Sequence, residues 1–324
     1  MILESYKSVI NYILNERQFV GTKGSCRYCG KTNKEVKFKK IAHSIPELLG
    51  NKYLFSNDEC DECNSYFDQF LENNLANFLG VSRTTSQIVG KKGVPKQKSN
   101  QGDRIEAING DLVIIQREES NTYEQISDNL VKIESTAASY IPVNVYKCLV
   151  KIALSVLPDA YLRTFSETIR WVRHDAKPHG LDSRLLNLHV TMFPGKNPFS
   201  SIWLQLYKRQ TAPKKHPYMI CVLAFSNYMF QFAIPFNKKD RRLDLSQIEI
   251  PLFPFPPFFK LPGQAPGVEP RSYSVNLSGK ESVQPQNYAH MYAGDMKTVN
   301  VEDIPQEILE RIKELGLEFD GEKI

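Results

Sequence analysis

Two Cys-x-x-Cys motifs, Cys26/Cys29 and Cys60/Cys63, constrain this chain more than any other feature, and 30 residues separate them. Two such pairs suit one tetrahedral metal, because each short turn presents two thiolates to a common point. We therefore predict a structural zinc site. The competing interpretation, two disulfides or reduced core cysteines, is weaker because we expect an intracellular protein, where disulfides are rare.

The formal charge of the chain is concentrated in its first third. Residues 1–98 hold 15 of the 41 Lys and Arg residues but only 10 of the 36 Asp and Glu residues, so they carry the whole excess of +5. Hydrophobic residues make up 41% of the chain, which is an ordinary globular balance rather than the composition of a disordered protein. The basic segment that holds both cysteine pairs is where we expect an anionic partner.

The loop between the cysteine pairs carries a recognisable order of residues. His43 is followed by Ile45-Pro46 and Leu49-Gly50, and Asn64 follows the second cysteine pair at the start of a Phe- and Leu-rich segment. Over about residues 24–80 this order resembles the zinc-bound branch of the HNH endonucleases. The resemblance implies a ββα-metal finger in the N-terminal part.

The resemblance also implies the roles of three residues. His43 would be the general base, because its ordinary pKa lies near neutrality. Asn57 would brace the loop and orient His43, and Asn64 would offer its carbonyl oxygen to a catalytic Mg2+ or Mn2+ ion. Ala42 departs from the pattern, because most members have an acidic metal ligand at that position.

We expect nucleic acid as the partner, with DNA favoured over RNA. Basic side chains on both flanks of His43 are candidates for phosphate contacts. They are Lys39, Lys40, Arg83, Lys91 and Lys92. The alternative for such runs is a solvated surface.

The fold class that we predict is α+β. A zinc-stapled, treble-clef-like HNH module would occupy residues 1–98, and a larger accessory domain with an antiparallel sheet would occupy 103–324. Hydrophobic periodicity and turn residues predict the individual elements. We expect helices over 3–15, from Cys63 to Gly80, over 143–157 and over 160–173; strands over 34–42, 185–193, 201–208, 217–225 and 227–235; a hairpin turn at Asn109-Gly110; and an extended or edge segment over the proline-rich residues 251–270.

The accessory domain leaves several roles open: oligomerisation, target recognition, or binding of a partner protein or a small-molecule activator. Cutting both strands of a duplex would favour a homodimer. We expect no membrane association and a cytoplasmic location, because no apolar run approaches the roughly 18 residues of a membrane span and no secretory leader is recognisable. The predicted function is a metal-dependent HNH endonuclease in bacterial restriction or anti-phage defence. The alternative is a non-catalytic zinc module that binds nucleic acid or protein.

Overall fold

The computed structural model describes most of the chain. The described residues are 5–99, 102–108, 110–116, 120, 122–127, 130–136, 138–174, 183–211, 215–244, 247–253, 261–265, 267–284, 286–292 and 304–314. Mixed helices and mostly antiparallel sheets confirm the α+β class.

Strands account for most of the elements in the described residues. They are β1 (Tyr6–Leu14), β2 (Gln18–Val20), β3 (Ala42–His43), β4 (Leu54–Ser56), β5 (Gln97–Lys98), β6 (Arg104–Ile108), β7 (Asp111–Ile115), β8 (Tyr123–Ser127), β9 (Leu130–Thr136), β10 (Asn187–Met192), β11 (Phe199–Arg209), β12 (Met219–Ser226), β13 (Tyr228–Ala233), β14 (Arg271–Asn276) and β15 (Gln286–Tyr292).

The helices of the described residues lie in three parts of the chain. They are α1 (Asp61–Phe67), α2 (Asn73–Leu79), α3 (Ser82–Thr85), α4 (Pro142–Val156), α5 (Asp159–Leu162), α6 (Ser166–Arg173) and α7 (Gln306–Glu314). A π-helical segment, Asp68–Glu72, joins α1 to α2, and Gly80 follows α2. This confirms the helical segment that was predicted to end at Gly80. Short 3-10 turns are Glu47–Leu49, Arg163–Phe165, Ser183–Leu186 and Lys238–Asp240.

An antiparallel six-stranded sheet in the order β1-β11-β12-β13-β10-β14 is the largest layer. Four of its strands confirm the predictions over 185–193, 201–208, 217–225 and 227–235. The prediction of a helix over 3–15 is wrong for its described part, because Tyr6–Leu14 forms β1 and pairs with β11. The register shifts between Ser8 and Ile10. Such an irregularity breaks the two-residue alternation of a strand, so the apolar residues fell at helix-like spacing.

The predicted strand over 34–42 is also wrong for most of its length, since only Ala42–His43 pairs as β3. The main-chain N–H groups of Lys39 and Lys40 both donate to Asp61 Oδ1 at 2.9 Å. The side chain of Asp61, at the start of α1, therefore accepts hydrogen bonds from main-chain N–H groups that a longer strand would use for pairing.

The remaining strands form three small sheets. Their orders are β2-β4-β3, β5-β6-β7 and β15-β9-β8. In the second sheet, Ile108 pairs with Asp111 across the predicted two-residue turn, which confirms the hairpin. Helix α4 confirms the prediction over 143–157. The helix expected over 160–173 is present as α5 and α6, interrupted by the turn Arg163–Phe165.

Helix α4 is buried along nearly its whole length. Its Tyr146 hydroxyl donates to the carbonyls of Leu185 and Ala233 at 2.6 and 2.8 Å. One hydrophobic core joins the cysteine-rich part, α4 and the six-stranded sheet. The division into 1–98 and 103–324 stays a prediction, and the structure adds that β1 belongs to the sheet of the larger part.

The proline-rich prediction falls partly outside the described residues, which omit 254–260 and 266. In the described part, Phe253 stacks on Tyr207 with ring centroids 3.9 Å apart, and Gln264 forms an isolated bridge to Gly195. Separately, among the described residues, the helices are all too short or too polar to cross a bilayer.

Candidate HNH active site and zinc centre

The four cysteines of the two motifs meet at one point. Their sulfur atoms all lie within 4.8 Å of one another, and Cys29 Sγ lies 3.8 Å from Cys60 Sγ. Zn–S bonds of about 2.3 Å in a tetrahedron place neighbouring sulfurs about 3.8 Å apart. The cluster thus has the spacing of a four-cysteine structural zinc site.

Local backbone structure presents each pair of sulfurs. The Cys26 N–H donates to Lys31 O, the Gly30 N–H donates to Cys26 O, and Gly30 has φ of +73°. This tight knuckle uses the conformation that glycine tolerates best. Cys60 is the N-cap of α1, and Cys63 lies in its first turn. A hydrogen bond with Cys63 lowers the pKa of Cys26 and raises that of Cys63, so Cys26 is the cysteine that most readily supplies a thiolate, the form that binds metal.

Side chains from outside the knuckles hold the cysteine cluster. Arg173, at the end of α6, donates from Nε to Cys63 Sγ at 3.3 Å. Arg27, between the first two cysteines, pairs with Asp58 at 2.8 Å and donates to the carbonyls of Leu154 and Leu157 at 2.7 and 2.6 Å. Those carbonyls lie at the C-terminal end of α4, where main-chain carbonyl groups lack partners within the helix. The zinc centre is thereby fastened to the larger part of the protein.

The sheet β2-β4-β3 positions His43. His43 pairs with Phe55 of the antiparallel strand β4, and Phe55 pairs with Phe19 of the parallel strand β2. The ring centroids are 4.8 Å apart for His43 and Phe55, and 5.4 Å apart for Phe55 and Phe19. The three rings therefore form one row across a single face of the sheet.

The His43 side chain is 27% exposed, and a carboxylate lies beside it. His43 Nε2 is 3.9 Å from Glu47 Oε2, while Nδ1 is buried and has no hydrogen-bond partner among the residues that the structure describes. Burial lowers the pKa of His43, and Lys151, Lys52 and Lys91 lower it further, while Glu47 raises it. The imidazole is therefore neutral near pH 7, as a proton acceptor requires.

Glu47 begins the 3-10 turn that follows Pro46. Its carboxylate accepts a hydrogen bond from Lys52 Nζ, which lowers the pKa of Glu47. Glu47 is therefore ionised beside His43. Glu47 lies near His43 because the chain turns back after Pro46. Composition and residue spacing alone do not reveal this contact.

Asn51 braces the loop between β3 and β4. Its fully buried side chain donates to Ile45 O and Leu54 O at 2.7 and 2.8 Å, and accepts from the N–H groups of Tyr53 and Leu54. The resemblance implies a similar bracing role for Asn57. The side chain of Asn57 donates to Gly21 O at 3.5 Å, and none of the hydrogen bonds of the described residues joins it to His43.

Asn64 lies in the first turn of α1, and its half-buried side chain has no hydrogen bond among the described residues. Its amide oxygen is free to accept a ligand. Ala42 is fully buried, so its side chain points into the core, away from the face of the sheet that carries His43. A carboxylate at residue 42 would have to enter the core in this backbone conformation.

A buried ion pair lies beneath His43. Lys151 Nζ, on α4, donates to the carbonyl of His43 at 2.8 Å and lies 3.1 Å from Glu59 Oε2, with both side chains fully buried. Ser155, one turn further along α4, donates to Ser44 O at 3.0 Å. Polar groups of α4 therefore fix the main chain at the catalytic candidate.

The basic residues that are candidates for phosphate contacts differ in their exposure and in their partners. Lys91 is exposed and its charge acts on His43, whereas Lys40 is engaged with Ser65 Oγ at 2.9 Å. Arg83 is half-buried, its Nε is buried without a hydrogen bond, and its Nη2 packs close to Gly90. Among the described residues it pairs with none of the carboxylates. Lys39 and Lys92 are exposed surface side chains.

The family model of the HNH endonucleases matches residues 26–79. This stretch of the chain is similar to the HNH endonucleases. The match contains both cysteine pairs, His43 and Asn64, which are the residues on which the sequence resemblance rested. Comparisons with curated proteins and with solved structures give no match.

The HNH region was thus recognisable from sequence, but several of its functional neighbours were not. Asn51 and Glu47 lie in the loop between the cysteine pairs, and no motif marks either of them. One weak sequence signal marks the buried Lys151 of α4: it is a charged residue inside an apolar helical pattern. A charged residue is buried in a core mainly when it is paired.

Proposed function

We propose that this protein is a metal-dependent HNH endonuclease that hydrolyses phosphodiester bonds of nucleic acid. The observation that carries the proposal is His43 on the ββα-type sheet, with its partly exposed side chain beside Glu47 and its main chain fixed by Lys151. A neutral, held imidazole next to an ionised carboxylate is suited to general-base chemistry.

His43 takes a proton from the attacking water in this proposal. The accepting nitrogen is Nε2, because Nδ1 is buried. The carboxylate of Glu47 stabilises the imidazolium that forms, since it already raises the pKa of His43. The proton leaves to solvent through the exposed edge of the ring.

The donor set fits a hard divalent cation such as Mg2+ or Mn2+, because Asn64 has a free amide oxygen and Mg2+ takes few protein ligands. When bound, such an ion stabilises charge on the phosphorane and on the leaving oxygen. Asn64 is its proposed ligand. Arg83 and Lys91 are the proposed phosphate contacts, because Arg83 has no carboxylate partner among the described residues and Lys91 acts on His43.

The roles of Asn57, Lys39, Lys40 and Lys92 stay predictions, as do a DNA rather than an RNA substrate, a homodimer, and an activator or partner protein at the accessory part. A part in restriction or anti-phage defence rests on the resemblance alone.

The alternative function is a non-catalytic zinc module, and the observation that favours it is the buried Ala42 in place of the usual acidic ligand. The test is incubation of the full-length, zinc-loaded protein with plasmid, single-stranded DNA and RNA. Each substrate is tested with Mg2+, with Mn2+ and without an added divalent ion. Cleavage that requires the divalent ion supports the nuclease. Binding without cleavage under every condition supports the alternative.

A further inference from the structure

A row of aromatic rings begins at His43, and its two phenylalanines have no part in the chemistry described above. It runs from His43 through Phe55 to Phe19, and the three residues are direct partners across strands β3, β4 and β2. Phe55 is nearly buried, whereas Phe19 is 50% exposed. Half of an aromatic side chain is therefore open to solvent two strands away from the candidate base.

Arg17 extends the row with a positive charge. Its guanidinium carbon lies 5.2 Å from the Phe19 centroid and 5.0 Å from the Phe55 centroid. Arg17 is itself exposed, and its guanidinium lies over both rings. Half of the Phe19 surface remains open with Arg17 in place.

We infer that Phe19 and Arg17 form a stacking platform for an unpaired base of the substrate strand. Aromatic faces and guanidinium groups are the surfaces on which exposed bases stack, and stacking requires a base that is not enclosed in a duplex. This deepens the proposed nuclease function and rests on it. It specifies a single-stranded or locally unpaired nucleic-acid strand as the preferred substrate.

The distance along the row suits one strand of nucleic acid. Phe19 lies two strand spacings from His43, about 10 Å, since neighbouring strands are about 4.8 Å apart. A stacked DNA strand advances about 3.4 Å per nucleotide. A base one to three nucleotides from the phosphate at His43 therefore reaches Phe19, with fewer nucleotides needed if the strand is extended.

The charges around the row favour a nucleic acid over an apolar protein partner. Arg17 lies at one end, and Lys91 and Lys52 act on His43 at the other. Glu47, the carboxylate at that end, is already paired with Lys52. An anionic strand with exposed bases matches both the rings and the cations.

The experiment compares binding of a short fluorescein-labelled single-stranded DNA with binding of the same strand in a duplex. Fluorescence anisotropy is measured on the full-length, zinc-loaded protein without added Mg2+ or Mn2+, so that cleavage does not interfere. Phe19→Ala should weaken single-strand binding about fivefold to a hundredfold. It should change duplex binding little, and Phe19→Trp should restore single-strand binding.

Tyr273→Ala is the matched control, because Tyr273 is 51% exposed but lies on β14, at the far edge of the six-stranded sheet. It should leave both affinities unchanged. The proposal is overturned if wild type binds neither DNA, if Phe19→Ala binds the single strand as wild type does, or if it weakens both DNAs equally.

Failure of the platform and failure of the nuclease are separable. If Phe19→Ala binds normally while wild type still cleaves DNA and His43→Ala does not, only the platform is wrong. If wild type binds single strands through Phe19 but cleaves no nucleic acid with any divalent ion, the nuclease is wrong and the binding surface stands.

Discussion

The ammonium group of Lys151 donates to the main-chain carbonyl of His43 at 2.8 Å, although 108 residues separate them in the chain. The same ammonium pairs with Glu59 at 3.1 Å, in a site closed to solvent. A helix outside the HNH region thus supports the candidate catalytic residue from below. The HNH region of this protein is built into the larger fold.

Lys151→Met should destabilise the protein by about 3 to 5 kcal/mol, because it leaves the buried Glu59 without its partner. It also removes the donor to the His43 carbonyl. Urea unfolding of zinc-loaded protein measures the change.

The double variant Lys151→Met/Glu59→Leu should recover much of that loss, since an apolar pair avoids the cost of an unpaired charge. Equal stabilities for the single and double variants would show that the ion pair is not what the single substitution disturbs.

Zinc removal should unfold more than the cysteine knuckles. Structural zinc contributes about 10 to 16 kcal/mol in small modules, and the cysteines share a core with α4 and the six-stranded sheet. We expect Cys63→Ser to lose bound zinc and to melt well below wild type.

Metal analysis and thermal unfolding followed by circular dichroism measure both effects. Cys148→Ala is the control, because Cys148 is buried in α4 away from the cluster. It should keep one zinc per chain despite some loss of packing. A Cys63→Ser protein with full zinc content would contradict the four-cysteine site.

Arg173→Met should lower zinc affinity about 10- to 100-fold, because it removes the N–H donor to Cys63 Sγ. Competition with a chromophoric chelator measures the affinity. Arg170→Met, an exposed position on the same helix, is the matched control and should bind zinc as wild type does. Equal affinities for the two variants would mean that the contact with Cys63 does not support the metal.

The pH dependence of cleavage should shift in opposite directions for two charge-removing variants. Glu47 raises the pKa of His43 and Lys91 lowers it. Glu47→Gln should therefore lower that pKa, so that His43 stays neutral and cleavage persists to more acidic pH. Lys91→Gln should raise the pKa, so that cleavage falls at a higher pH than in wild type.

The measurement is the acidic limb of kcat/KM against pH for both variants. Lys92→Gln is the control for Lys91→Gln. Lys92 is the exposed neighbour of Lys91, but it is not one of the charges that shift the pKa of His43 among the described residues. Shifts of the same sign for Glu47→Gln and Lys91→Gln would rule out His43 as the titrating base.

Sequence predicted those parts of the site that depend on short-range spacing. The Cys-x-x-Cys pairs, the Asn64 that follows them and the helical segment ending at Gly80 are local patterns, and the structure has each of them. Alternating or aromatic-rich runs also predicted four strands of the large sheet, because aromatic and β-branched residues favour strands and a half-buried strand keeps a two-residue period. In β1 the register shift near Ser8 hid that period.

The rest of the site depends on contacts between distant segments. Glu47 meets His43 because the chain turns after Pro46, and Asn51 binds two carbonyls that only the folded loop brings together. Lys151 reaches His43 from α4. Periodicity reports which face of an element is buried, but not which other element covers it, so these contacts were beyond the sequence.

The central claim is that His43 is the base of a divalent-metal-dependent nuclease. The most direct measurement is single-turnover cleavage of DNA by wild type and by His43→Ala, at equal zinc content, with and without Mg2+ or Mn2+. We predict that wild type cleaves only with the added ion and that His43→Ala is slower by at least about 100-fold, since general-base catalysis contributes that much. Cleavage by His43→Ala at the wild-type rate, or no cleavage by either protein on any nucleic acid, would contradict the claim.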